Sequence, residues 1–86
     1  MKYKKKISVI GLGYVGLPLA NRLSKYFNVV GFDTNRLRIQ ELKEGIDKND
    51  DVDKKILFRS KIFFTTNIEE TKKSDLFIVT VPTPVD

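Results

Sequence analysis

The string Gly11-Leu12-Gly13-Tyr14-Val15-Gly16 constrains this chain more than any other feature, because of what flanks it. It follows Ile7-Ser8-Val9-Ile10, a β-branched run that predicts a strand buried on both faces of a parallel sheet. It also opens a segment with helical periodicity: Val15, Leu19, Leu23 and Tyr26 form one expected apolar stripe. Gly16 and Ala20 form an adjacent track of small residues, where a helix could lie close against the sheet. Pro18 fits this helix if it begins near Gly13, since a missing N–H costs least in the first turn. A strand, a glycine turn and a helix in this order are the front of a βαβ unit.

The alternation continues along the chain. Val29 to Phe32 predicts a second strand, closing at Asp33. Thr34 or Asn35 can cap a second helix with Ile39, Leu42 and Ile46 on its apolar side, and Gly45 is suited to end it. Residues 47–51 read as a polar turn, and Val52, Ile56 and Leu57 suggest a further short helix. Ile62 to Thr65 predicts a third strand, Asn67 with Glu70 a capping box, and Leu76 to Val81 a fourth strand ended by Pro82 and Pro84. Strands alternating with helices imply right-handed crossovers and an α/β fold with a Rossmann-like, doubly wound parallel sheet of about four strands. The fourth strand is apolar without alternation, so it expects cover on both faces and a neighbour at its edge. Residues 1–86 are therefore expected to be the front half of a larger domain, in keeping with usual domain sizes of about 100–150 residues.

Composition narrows the chemistry. The chain has no cysteine and no histidine, which excludes disulfides, Cys/His zinc sites, a cysteine nucleophile and a histidine-based triad within these residues. Its 16 lysines and arginines outnumber 11 acids, but they are scattered among the acids and form no aromatic-interleaved stripe, so no nucleic-acid partner is expected. Lys2, Lys4, Lys5 and Lys6 before an apolar run imitate a secretory signal, yet Gly11, Gly13, Gly16 and Pro18 interrupt that run. No stretch reaches the roughly 20 apolar residues of a membrane span, and a cytoplasmic setting is expected. Asp47, Asn49, Asp51 and Asp53 alternate like a calcium loop, but Val52 replaces the glycine and Phe58 the closing glutamate, so no metal is expected. Phe58, Phe63 and Phe64 read as core and sheet residues rather than as a platform for stacked bases.

The glycine turn reads as a dinucleotide site. Asp33 lies about twenty residues beyond the first glycine, at the end of the second strand, where such a site needs an acid. Gly11 makes the tight turn, Gly13 lets a pyrophosphate approach the backbone, and Gly16 allows close helix packing. The N–H groups of Tyr14 and Val15 would face the phosphates, with the positive end of the helix dipole behind them. Asp33 would accept the adenosine ribose hydroxyls and repel a 2′-phosphate, which favours NAD over NADP, although Arg36 and Arg38 could pair with that phosphate. Arg38 could equally lie over the adenine or approach the pyrophosphate. Ligands of open α/β sheets bind beyond the carboxyl ends of the strands, so Thr83 could offer its hydroxyl to the cofactor, or its segment could be a plain proline-terminated exit.

Three stretches together carry a resemblance: Ile10-Gly-Leu-Gly-Tyr-Val-Gly-Leu-Pro-Leu-Ala20, Val30-Gly-Phe-Asp33 with Arg38 five residues on, and Val79-Thr-Val-Pro-Thr-Pro-Val-Asp86. They resemble the amino-terminal region of the UDP-glucose/GDP-mannose dehydrogenase family, and within it the UDP-N-acetylhexosamine 6-dehydrogenases of bacterial surface-polysaccharide synthesis. The resemblance implies oxidation of the sugar C6 alcohol of a UDP-sugar to a carboxylate through a thiohemiacetal on an enzyme cysteine, consuming two NAD+. It implies Tyr14, Val15, Asp33, Arg38 and Thr83 as cofactor contacts. It also places the catalytic cysteine, the acid–base partners and the central and UDP-sugar domains beyond residue 86, and makes the full-length protein a homodimer. The chain alone is then expected to be inactive and to self-associate through its fourth strand. Two other functions fit the turn: a regulatory NAD-sensing module without catalysis, and another NAD-dependent dehydrogenase acting on hydroxy acids or acyl thioesters. Composition and spacing do not separate these; the stretches at 10–20 and 79–86 do.

Overall fold

The computed structural model describes residues 5–13, 15–46 and 61–80. The elements are β1 (Lys6–Ile10), α1 (Gly16–Leu23), β2 (Asn28–Phe32), α2 (Arg36–Lys43), β3 (Phe63–Thr65), a single 3₁₀ turn (Ile68–Thr71) and β4 (Leu76–Val79). The four strands form one parallel sheet in the order β3-β2-β1-β4. The chain steps outward from β1 to β2 and β3, then returns to the far side of β1 for β4. With right-handed crossovers, that reversal winds the sheet on both faces and opens a crevice beyond the carboxyl ends of β1 and β4. This is the expected Rossmann-like architecture.

Every strand ends in a contact that fixes its neighbour. Asn28 N–H donates to Lys5 C=O at 3.0 Å where β2 starts, and Gly11 N–H donates to Phe32 C=O at 2.8 Å where it finishes. At the start of β4, Asp75 N–H donates to Lys6 C=O at 2.7 Å, while its carboxylate accepts from Lys6 N–H at 2.8 Å. β4 is tied to β1 at both ends, since Thr80 N–H donates to Ile10 C=O at 2.7 Å.

The buried core consists of Ile7 and Val9 of β1, Leu12, Leu17 and Ala20, Val29 of β2, Ile39 and Leu42 of α2, and Phe64 of β3, while β4 adds only the partly buried Ile78 packed against it. Ser8 is buried among them and satisfied by a hydroxyl–hydroxyl hydrogen bond with Ser74. α1 buries the small-residue track expected to lie close to the sheet, but only part of the expected apolar stripe. Gly16, Leu17 and Ala20 are buried and Leu23 is packed against the core, whereas Val15 and Tyr26 are exposed. At Gly16 the helix has no room for a side chain, since a Cβ there would meet the Gly11 carbonyl oxygen and the Thr80 hydroxyl.

Other boundaries shift for local reasons. α2 is capped by Asn35, whose side chain accepts from Arg38 N–H at 3.0 Å, and it closes in a Schellman motif at Gly45 (φ +80°). There Gly45 N–H donates to Leu42 C=O and Ile46 N–H to Glu41 C=O, which carries Ile46 out of the helix and into solvent. Asn67 caps the 3₁₀ turn through Glu69 N–H, but the other half of the expected box does not form, because Asn67 N–H donates to Thr65 Oγ1 instead of reaching Glu70. Phe63 is exposed, and β4 spans four residues whose side chains are mostly exposed. The expected helix at 52–57, the acidic run at 47–53 and Phe58 lie outside the described residues. Among the described residues no helix is long and apolar enough to cross a membrane, and no three or more acidic, His or Cys residues converge on a metal position.

Candidate functional site

The three glycines of the turn divide into two kinds. Gly11 takes φ +98°, and a Cβ there would sit 2.0 Å from Thr80 C=O. A Cβ on Gly16 would sit 1.8 Å from the Gly11 carbonyl oxygen. Both positions are filled by neighbouring backbone, so neither tolerates a side chain. A Cβ on Gly13 would meet nothing within 4 Å. Gly13 therefore faces open space at the mouth of the crevice, where a pyrophosphate can come against bare backbone.

Asp33 stands at the end of β2, half-buried, and grips this turn. Its Oδ2 accepts from Leu12 N–H at 2.9 Å, and its Oδ1 accepts from Asn35 N–H at 2.9 Å. Each carboxylate oxygen keeps a further lone pair, so the ribose hydroxyls of a dinucleotide can be received without breaking either bond. Arg38, in the first turn of α2, sends Nε and Nη2 to the Leu12 carbonyl at 2.9 and 2.7 Å. Its guanidinium thus forks onto the turn itself, a placement the sequence left open between adenine, pyrophosphate and 2′-phosphate. Leu12 is held by Asp33 at its N–H and by Arg38 at its C=O, while its fully buried side chain lies over β2 at Gly31.

α1 starts from this turn. Val15 occupies the N-cap position with helical angles and no side-chain cap, and Leu17 N–H donates to Gly13 C=O at 3.0 Å. An i→i−4 bond thus reaches back to Gly13, and Pro18 falls in the first turn of α1, where its missing N–H costs least. A helix N-terminus whose N-cap residue makes no side-chain cap bond, set behind a glycine with open space at its Cβ position, fits an anionic group.

The structure brings Gly11, Gly13, Val15, Gly16, Asp33 and Arg38 to the carboxyl ends of β1 and β2. Tyr14 and Thr83 lie outside the described residues. Sequence reasoning passed over Thr80, whose hydroxyl donates to Gly11 C=O at 2.8 Å. The only signal for it was its place at the end of the fourth strand, immediately before the segment from which Thr83 was singled out.

Comparison with known proteins is consistent with this geometry. Residues 5–86 match the profile described as "UDP-glucose/GDP-mannose dehydrogenase family, NAD binding domain". The chain is 52% identical over 82 residues, 94% of its length, to a UDP-N-acetyl-D-glucosamine 6-dehydrogenase of Pseudomonas aeruginosa. It is 43% identical over 83 residues, 93% of its length, to a UDP-N-acetyl-D-mannosamine dehydrogenase of Methanocaldococcus jannaschii. It spans 19% of the length of each of these relatives. Among solved structures, a UDP-D-ManNAc dehydrogenase from Pyrococcus horikoshii superposes with a TM-score of 0.78 at 31% identity, covering 94% of this chain and 21% of that one.

Proposed function

This chain belongs to the UDP-glucose/GDP-mannose dehydrogenase family, whose matched region is an NAD-binding domain, and from that membership we propose that it is the amino-terminal, NAD-holding part of a UDP-N-acetylhexosamine 6-dehydrogenase. NAD is the cofactor, and it supplies the hydride acceptor for alcohol oxidation when bound. The residues of this chain would hold and orient it: Asp33 the adenosine ribose, Gly13 and the start of α1 the pyrophosphate, with Tyr14, Val15 and Thr83 as further contacts. Gly11, Gly16 and Arg38 shape the turn that receives it.

One observation carries the reading. The Asp33 carboxylate is bonded to the Leu12 N–H of the glycine turn while Gly13 stays open, so the ribose acid and the pyrophosphate seat form one preassembled unit. The same carboxylate repels a 2′-phosphate, and with Arg38 committed to the Leu12 carbonyl this favours NAD+ over NADP+. The sequence contains no cysteine, so these residues supply no thiol for the thiohemiacetal chemistry of such an enzyme. The cytoplasmic setting and homodimeric assembly expected from the sequence are part of the same proposal.

Calorimetric titration of the chain tests it. NAD+ should bind, NADP+ should bind at least about tenfold more weakly, and UDP-N-acetylglucosamine should not bind. Asp33→Ala should abolish NAD+ binding while leaving the fold intact by circular dichroism. A folded wild-type chain that ignores NAD+, or an Asp33→Ala variant that binds it equally well, would defeat the reading.

A further inference from the structure

The crevice has two banks, β1 with its glycine turn and the end of β4, and Thr80 is where they touch. Its N–H extends the β1–β4 ladder onto Ile10 C=O, which places its Cα firmly against β1. Its β-branched side chain has few rotamers, so the hydroxyl direction follows from that backbone position. Oγ1 lies 2.8 Å from Gly11 C=O and 3.2 Å from Ile10 C=O, and its single proton goes to the nearer of the two. The same oxygen lies 2.8 Å from where a Gly11 Cβ would be and 2.7 Å from where a Gly16 Cβ would be. Both crowded glycines are thus packed around this one hydroxyl.

The Gly11–Leu12 peptide shows what the contact does. In a trans peptide the C=O and the N–H point in opposite directions. The C=O end accepts from Thr80, and the N–H end donates to the Asp33 carboxylate at 2.9 Å. One rigid peptide plane is therefore held at both ends, by the last residue before the β4 exit and by the acid that receives the ribose. Turning the plane would move the carboxylate's partner and the course of the chain into Gly13 together.

We propose that Thr80 is a positioning residue for the dinucleotide site: its hydroxyl fixes the Gly11–Leu12 peptide plane and thereby presets both the pyrophosphate turn and the Asp33 carboxylate. The proposal rests on reading this turn as the NAD site. Thr80 acts through the peptide and not by donating to the cofactor, since its one proton is committed to Gly11.

The test compares the wild-type chain with Thr80→Ala, which removes donor and methyl, and Thr80→Ser, which keeps the donor. NAD+ is titrated calorimetrically at a temperature well below every melting midpoint, and amide hydrogen exchange is followed at Leu12 and Val9 without ligand. Thr80→Ala should weaken NAD+ binding about fivefold and speed exchange at Leu12 relative to Val9, and Thr80→Ser should restore most of both. Should Thr80→Val prove foldable, it should bind more weakly still, because its methyl would press on the Gly11 carbonyl. Equal NAD+ affinity in Thr80→Ala and wild type overturns the proposal and leaves the cofactor reading standing. A serine variant as impaired as alanine overturns it too, by assigning the effect to the methyl group. A folded wild-type chain that does not bind NAD+ overturns both.

Discussion

β1 and β4 lie side by side and pair residue for residue from Ile7↔Leu76 to Ile10↔Val79, yet Val9 of β1 is fully buried whereas Val79 of β4 is 64% exposed. Their side chains are of the same kind. The difference lies in their neighbours: β1 has a strand on each edge and passes directly into the turn that sets α1 over the sheet, while β4 pairs along one edge among the described residues. Apolar character therefore says what a strand can accept, and position decides what it receives. The functional weight of β4 correspondingly sits at its two ends, at Asp75 and Thr80, where polar groups bind it to β1.

The largest expected effect comes from placing an atom where β1 meets α1. Gly16→Ala puts a Cβ 1.8 Å from a backbone oxygen that cannot swing aside, and should cost about 3 kcal/mol or prevent folding. Gly13→Ala, three residues away in open space, should change stability by less than about 1 kcal/mol while weakening NAD+ binding. Denaturant melts of the two variants decide it. Equal losses at both positions would mean that the turn is not divided into a structural part and a ligand-facing part.

An intermediate effect isolates burial. Val→Thr preserves shape and β-branching and exchanges a methyl for a hydroxyl. At Val9 it buries an unpartnered hydroxyl and should cost about 2 kcal/mol. At Val79 the hydroxyl meets water, and the change should stay within about 0.5 kcal/mol. A comparable loss at Val79 would show that β4 is covered after all.

These contrasts also mark what could be read from sequence. Gly11, Gly13, Gly16 and Asp33 were legible because their relation is made within one βαβ unit, where each position has a steric or electrostatic reason. Thr80 was not, since its bond to Gly11 exists only once β4 pairs with β1, some seventy positions along the chain. The α1 stripe was misjudged for a related reason: the most apolar period marks the inner face only when the helix stands at ordinary distance. Here Gly16 and Ala20, the small-residue track already visible in the sequence, share the inner face with Leu17, and Val15 is exposed. Arg38 was recognised as belonging to the site, but its fork onto Leu12 depends on where the Asn35 cap starts α2, and sequence patterns leave such boundaries loose.

The smallest effect gives the sharpest form of the comparison. Asn35 and Asn67 do the same local work, each offering a side-chain oxygen to a backbone N–H at 3.0 Å at the start of a helical segment. Replacing either by alanine should cost about 1 kcal/mol or less, read as a modest drop in melting temperature. Their consequences for the ligand should differ. The Asn35 cap sets the first turn of α2, which carries Arg38 onto the Leu12 carbonyl, so Asn35→Ala should also lower NAD+ affinity by about twofold to threefold, and Asn35→Asp, which keeps the acceptor, should recover it. Asn67 lies between β3 and β4 with no bond to the turn, so Asn67→Ala should leave NAD+ affinity as it was. If both alanine variants bound NAD+ like the wild type, the Arg38 fork would be a by-product of where α2 lies. If both bound more weakly by the same factor, affinity would simply track global stability, and the Asn35 cap would have no bearing of its own on the glycine turn.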